Sequence, residues 1–239
     1  MMPRLRRIGF GLFATLAIFG LSGPTWAADS FEVTSIKAIR PTIVAAIAAL
    51  QSKDVAKSKA AMEDFDSAWN GIEVYINVRS KPTYNLLELE LEGGIDKGLA
   101  EPMPDFAKLT TMAQTLLAKF DEAVKMVEAG KPLNPAYDDV ARLRMERAHL
   151  REVLPALKAG NLAKARKSYE AFDAGWDPIE DLIKAKSEDA YVAIEKAMIQ
   201  IEQALMPDKP DVAMVTQLIN GLTMQYNAAL AEVVKDARK

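Results

Sequence analysis

Asp66, Glu73 and Ser80 are spaced seven residues apart, which stacks them two turns apart along one helix face. Tyr84 and Glu88, four apart, share a face of whatever helix follows. The same set returns as Asp173, Glu180, Ser187, Tyr191 and Glu195. Carboxylates joined by a phenol are hard oxygen donors, the chemistry that holds iron, manganese, calcium or magnesium. The acids also admit a structural reading. Arg40 interrupts an apolar stripe between Ile36 and Ile43, and Arg147 does so between Leu143 and Leu150. A cation on an apolar face needs a buried acid beside it, so Glu73 and Glu180 are its expected partners. The residues alone leave both readings open: a cation site, or internal Arg–Glu pairing.

These groups belong to a longer repeated string. Phe65, Asp66, Trp69, Ile72 and Glu73 recur as Phe172, Asp173, Trp176, Ile179 and Glu180, at an offset of 173 − 66 = 107. The match runs without a gap through Ser80/Ser187, Tyr84/Tyr191 and Glu88/Glu195. Trp69 and Trp176 sit at helical spacing among apolar residues, where core packing is the expected role of an aromatic.

The elements that must position the set are helical throughout, since Ala, Leu, Lys and Glu dominate and no alternating strand pattern occurs. In each half a first helix carries the apolar stripe with the arginine, and spans about residues 31–51 in the first half. A second starts at the N-caps Asp54 and Asn161. A third starts at Ser80 and Ser187, and a fourth at Asp105 and Asp211. Gly93-Gly94 is expected to interrupt the third helix of the first half and leave a loop up to Pro104. The fold class is therefore all-α, two tandem duplicated up-and-down four-helix units about a pseudo-twofold axis, over 28–133 and 134–239. The joint falls in the Gly- and Pro-rich stretch 130–137.

Residues 1–27 read as a signal peptide: Arg4, Arg6 and Arg7, then an apolar run, then Thr25-Trp26-Ala27 at a cleavage site. The expected location is periplasmic. Without that segment the formal net charge moves from −3 to −6, because three positive charges and no acids leave with it. An acidic surface excludes nucleic acid as a partner. With no cysteine there is no disulfide, thiolate or zinc-knuckle chemistry. His149 is the only histidine, so neither a paired Glu-x-x-His di-iron set nor a repeated Ser-His-Asp arrangement is available. No phosphate loop or nucleophile elbow is present, and the expectation is a protein that is not an enzyme.

Residues 157–165 (Leu-Lys-Ala-Gly-Asn-Leu-Ala-Lys-Ala), followed by Phe172, Asp173, Trp176, Ile179, Glu180, Ser187, Tyr191, Ile194 and Glu195, resemble the extracytoplasmic helical domain of bacterial high-affinity iron permeases. The first half carries the same string from Leu50 to Glu88. The permease membrane helices and their Arg-Glu-x-x-Glu motifs are not in this sequence. The resemblance therefore implies an accessory that binds iron, or another divalent cation, beside a separate membrane iron permease. Its ligand positions would be Asp66, Glu73, Tyr84, Glu88, Asp173, Glu180, Tyr191 and Glu195. The rival function is a metal-free helical module that docks a membrane or periplasmic partner.

Overall fold

The computed structural model describes residues 30–239, so the signal-peptide reading of residues 1–27 lies outside the described residues. Among the described residues the fold is all-α, with no strand. The first half holds α1 (Phe31–Ala38), α2 (Arg40–Gln51), α3 (Val55–Arg79), α4 (Lys81–Asn85), a π-helical segment (Leu86–Glu92), α5 (Gly93–Ala100) and α6 (Phe106–Ala129). The second holds α7 (Ala136–Lys158), α8 (Leu162–Trp176), α9 (Glu180–Lys184), α10 (Glu188–Leu205) and α11 (Val212–Ala237).

The expected caps begin these helices. Asp54 accepts from the Lys57 amide and Asn161 from that of Lys164, each at 3.0 Å. Ser80 and Ser187 accept from the amides of Thr83 and Ala190. Asp105 and Asp211 do the same for α6 and α11. A side-chain oxygen at each site satisfies an amide that the first helical turn leaves without a carbonyl. The turns into α3 and α8 share a left-handed residue, Lys53 at φ 58° and Gly160 at φ 70°.

Three of the expected helices depart from the pattern. The first helix is broken at Ile39, because Pro41 has no amide to continue the ladder; Thr42 instead bonds back to the Ile39 carbonyl. Gly93-Gly94 opens a helix and does not end one. A Cβ on Gly94 would stand 2.5 Å from Met112 Cε, and one on Gly98 would stand 2.4 Å from Leu109 Cδ2. The glycines let α5 lie close against α6, which outweighs their low helix propensity. In the second half the helix that corresponds to α3 stops at Trp176, where Pro178 breaks it, and resumes at Glu180. Finally, the third helix of the first half passes through the π segment before reaching α5.

The buried apolar residues of both halves make one continuous core. α3 packs on α2 and α7, and α7 packs in turn on α8 and α11. Trp69 and Trp176 lie fully inside it. Residues 31–51 are apolar enough, at a mean hydropathy of 1.5, to pass for a membrane span. Ile36, Ile43 and Leu50 of that stretch are nonetheless buried in the core, against α3 and α6.

Candidate functional site

A buried indole N–H needs an acceptor. In the first half Trp69 Nε1 on α3 donates to Glu88 Oε2 in the π segment. In the second, Trp176 Nε1 at the end of α8 donates to Glu195 Oε1 on α10. Each bond spans nineteen residues, and each uses a carboxylate from the repeated set. A charged acceptor makes these bonds stronger than neutral ones. Both indoles are walled by aromatics. Phe65 stacks on Trp69 with Phe120 edge-on, and Phe172 stacks on Trp176 beside Tyr226.

The other expected residues gather around these bonds unequally. Burial first, then the charges of Glu73 and Glu88, raise the Tyr84 phenol to about 12. Tyr191 is raised for the same reasons, by partial burial and then by Glu195 and Glu180. It also stacks on Trp176 at 6.4 Å with rings 12° apart, and Lys184 Nζ lies over its ring, 4.5 Å from the centroid. Asp66 accepts from the Asn70 side chain at 2.8 Å, and Asp173 is exposed.

The expected arginine partners are different ones. Arg40 pairs with Asp121 of α6 through two bonds, at 2.8 and 3.0 Å, on the surface. The break at Ile39 is the cause: Ile39 takes the buried position and turns Arg40 outward. Arg147 donates to Asn227 of α11 at 3.2 Å. Glu73 is taken by Arg144, one turn earlier on α7 and facing α3, at 2.7 Å. Burial raises the Glu73 carboxyl, and Arg144 opposes that rise. The charges acting on Glu180 are mainly acidic (Glu195, Asp177 and Asp181), with Lys184 opposing them.

One group in this region has no signal in the repeat. Glu92, the last residue of the π segment, is 4 % exposed. Its Oε2 meets no nitrogen or hydroxyl donor among the described residues, and its carboxyl shares a hydrogen bond with that of Glu88. Burial first, then the charges of Glu88, Asp66 and Asp96, together raise its carboxyl to about 10. A cavity of about 260 Å³ between α3 and α5 is lined by Lys59, Met62, Glu63, Asp66, Asp96 and Leu99.

Sequence spacing explains why the repeat does not reveal it. From Glu88 to Pro104 is one residue more than from Glu195 to Pro210, and the π segment takes up the extra residue. Past it the halves align at an offset of 201 − 95 = 106. Ile95 matches Ile201 and Leu99 matches Leu205, all buried. In that register Glu92 corresponds to Met198, which is 6 % exposed.

The fold and site define a class: an all-α protein in which carboxylates clasp buried indoles in each half. Compared with known family models, curated proteins and solved structures, the chain matches none. Among the described residues no three Asp, Glu, His or Cys groups converge as a ready-made metal cage.

Proposed function

We propose that this is a non-enzymatic, exported protein of two duplicated four-helix units, which binds iron or a similar divalent cation as a periplasmic accessory to a membrane permease. One observation carries the reading. Each half turns a repeated glutamate onto its buried tryptophan, Glu88 on Trp69 and Glu195 on Trp176, with a second glutamate and a tyrosine of the repeat within reach of its charge: Glu73 and Tyr84 in one, Glu180 and Tyr191 in the other. Oxygen donors of this kind on packed helices suit a hard cation, and the acidic surface raises its local concentration. The repeated string and its resemblance to the permease domain point the same way.

The test is thermal unfolding with and without Mn2+ or Fe2+, in the wild type and in the double variant E88Q/E195Q. The amide oxygen still accepts the indole N–H, so the fold is retained while the charge is lost. The reading expects the cation to raise the wild-type Tm and to leave that of the variant unchanged. An unresponsive wild type rejects it.

A second reading, the metal-free docking module, draws on a specific observation: most of these acids already have internal work. Glu88 and Glu195 accept from indoles, and Glu73 is paired with Arg144. It expects the double variant to melt lower than the wild type in the absence of any cation.

A further inference from the structure

We infer that the groove between α7 and α11 binds a small soluble oxyanion of the phosphate or carboxylate class, held by Arg144, Arg147, Lys235 and Arg238. This does not rest on the cation reading above: it concerns another face of the molecule and the opposite charge.

The groove has a volume of about 460 Å³. Four of its lining side chains are cations, Arg144 and Arg147 from α7 and Lys235 and Arg238 from the end of α11. The other polar one is the neutral Asn227, and no acid lines it. In a chain of net charge −3, four cations around one opening stand apart from the mixed charges elsewhere.

Arg147 is short of negative charge. It is half-buried, and its Nη1 donates to the neutral Asn227 Oδ1 at 3.2 Å. Its Nε is buried and meets no acceptor among the described residues, as is the Nε of Arg144. The nearest acid acting on it is Glu73, whose own salt bridge is to Arg144 at 2.7 Å. Burial, then the charges of Arg144 and Arg151, lower the Arg147 guanidinium from its ordinary value, and Glu73 opposes them. A half-buried cation with a neutral partner is costly, and a bound oxyanion offsets that cost.

The repeat contains its own comparison. α7 follows the first half at an offset of 107, so Arg144 answers Lys37 and Arg147 answers Arg40. α11 follows α6 at an offset of 106, so Asn227 stands for Asp121 and Val234 for Glu128. In the first half both cations meet those acids: Lys37 pairs with Glu128 at 2.7 Å and Arg40 with Asp121 at 2.8 Å. The second half keeps the two cations and has neither acid. It also adds Lys235 and Arg238 where the first half has Ala129 and Pro132. The negative charge that closes the first seam from within must come to the second from outside.

Guanidinium groups donate paired N–H bonds to phosphate or carboxylate, which selects an oxyanion. Lys235 adds a point charge, since its pairing with Glu232 is exposed and long, at 3.6 Å. A lipid headgroup offers the same chemistry, so the experiment separates it from a soluble anion.

The metal-free protein is titrated at low salt with inorganic phosphate and with succinate, followed by calorimetry, and is sedimented with phosphatidylglycerol vesicles. The variants are R147Q, R40Q, N227D and N227D/V234E. The double variant gives the second half the acids of the first, and N227D, at an exposed position, keeps the test decisive if the double variant misfolds. The expected result is one phosphate or succinate per chain, weakened about tenfold or more in R147Q and in N227D. Binding is expected to be lost in N227D/V234E and unchanged in R40Q, whose arginine already has its acid. No binding of either anion by the wild type overturns the inference. So does binding that N227D retains, or that R40Q weakens as much as R147Q. Sedimentation with vesicles in the absence of soluble-anion binding overturns it in favour of a lipid surface.

Discussion

The two halves start from nearly the same string and treat it differently. In the first, α3 runs unbroken from Val55 to Arg79 and carries Trp69 and Glu73 on one rigid rod. Glu73 is clamped by Arg144 from α7. In the second, Pro178 stands where the first half has Gly71, and the helix stops just after Trp176. Glu180 begins a new short helix among like charges. Further along the relation reverses: α10 is regular, while the first half bends through a π segment and buries Glu92. A motif can therefore be kept residue for residue while the use of each residue changes with its neighbours. What both halves retain is the indole–carboxylate bond.

The largest test of that shared feature removes the indole. Trp69→Ala and Trp176→Ala should each destabilise by about 3–5 kcal/mol, since each empties a fully buried aromatic site. Loss of folding in one variant with little effect in the other would break the equivalence of the two cores; chemical denaturation decides it.

Glu73→Gln should cost about 1–3 kcal/mol, because it leaves Arg144 without its counter-charge in a part-buried position. Glu180→Gln should stay within about 0.5 kcal/mol, as a change away from any ion pair. Equal costs in the two variants would mean that the Arg144 clamp makes no difference between the halves.

A pH series sharpens the contrast at Glu92. Its folded carboxyl is raised to about 10 from an ordinary 4.5, so between those values the unfolded chain releases a proton that the folded chain keeps. The contribution of this group is thus fully present below about pH 4.5 and is lost as pH rises toward 10. In metal-free protein, stability should fall across that window more steeply in the wild type than in E92M. Parallel curves would show that Glu92 is not held neutral by burial.

The smallest effect concerns the turns into α3 and α8. Gly160→Ala should cost about 1 kcal/mol, because a side chain is strained at φ 70°. Lys53→Gly relieves the same strain in the first half but loosens the unfolded chain, so its gain is smaller. A larger response at Lys53 than at Gly160 would reverse the assignment of strain.

How much of this could be read beforehand depended on how local its cause was. The helical class, the caps at Asp54, Ser80, Asp105, Asn161, Ser187 and Asp211, and the burial of both tryptophans follow from spacing and short-range hydrogen bonding. All were legible. The arginine pairing was not legible. Arg40 and Arg144 choose their acids by which helix faces them across the core, and a one-residue break at Ile39 was enough to turn Arg40 toward Asp121.

Glu92 is the clearest case of the division. Sequence alone determined that the repeat exists and where it loses register, because identity at a constant offset needs no coordinates. Only the tertiary structure decided that the surplus residue is absorbed in a π segment, and that this carries an acid into the place of Met198. Burial is set by helices that meet in space, and the linear order of residues does not encode it one position at a time.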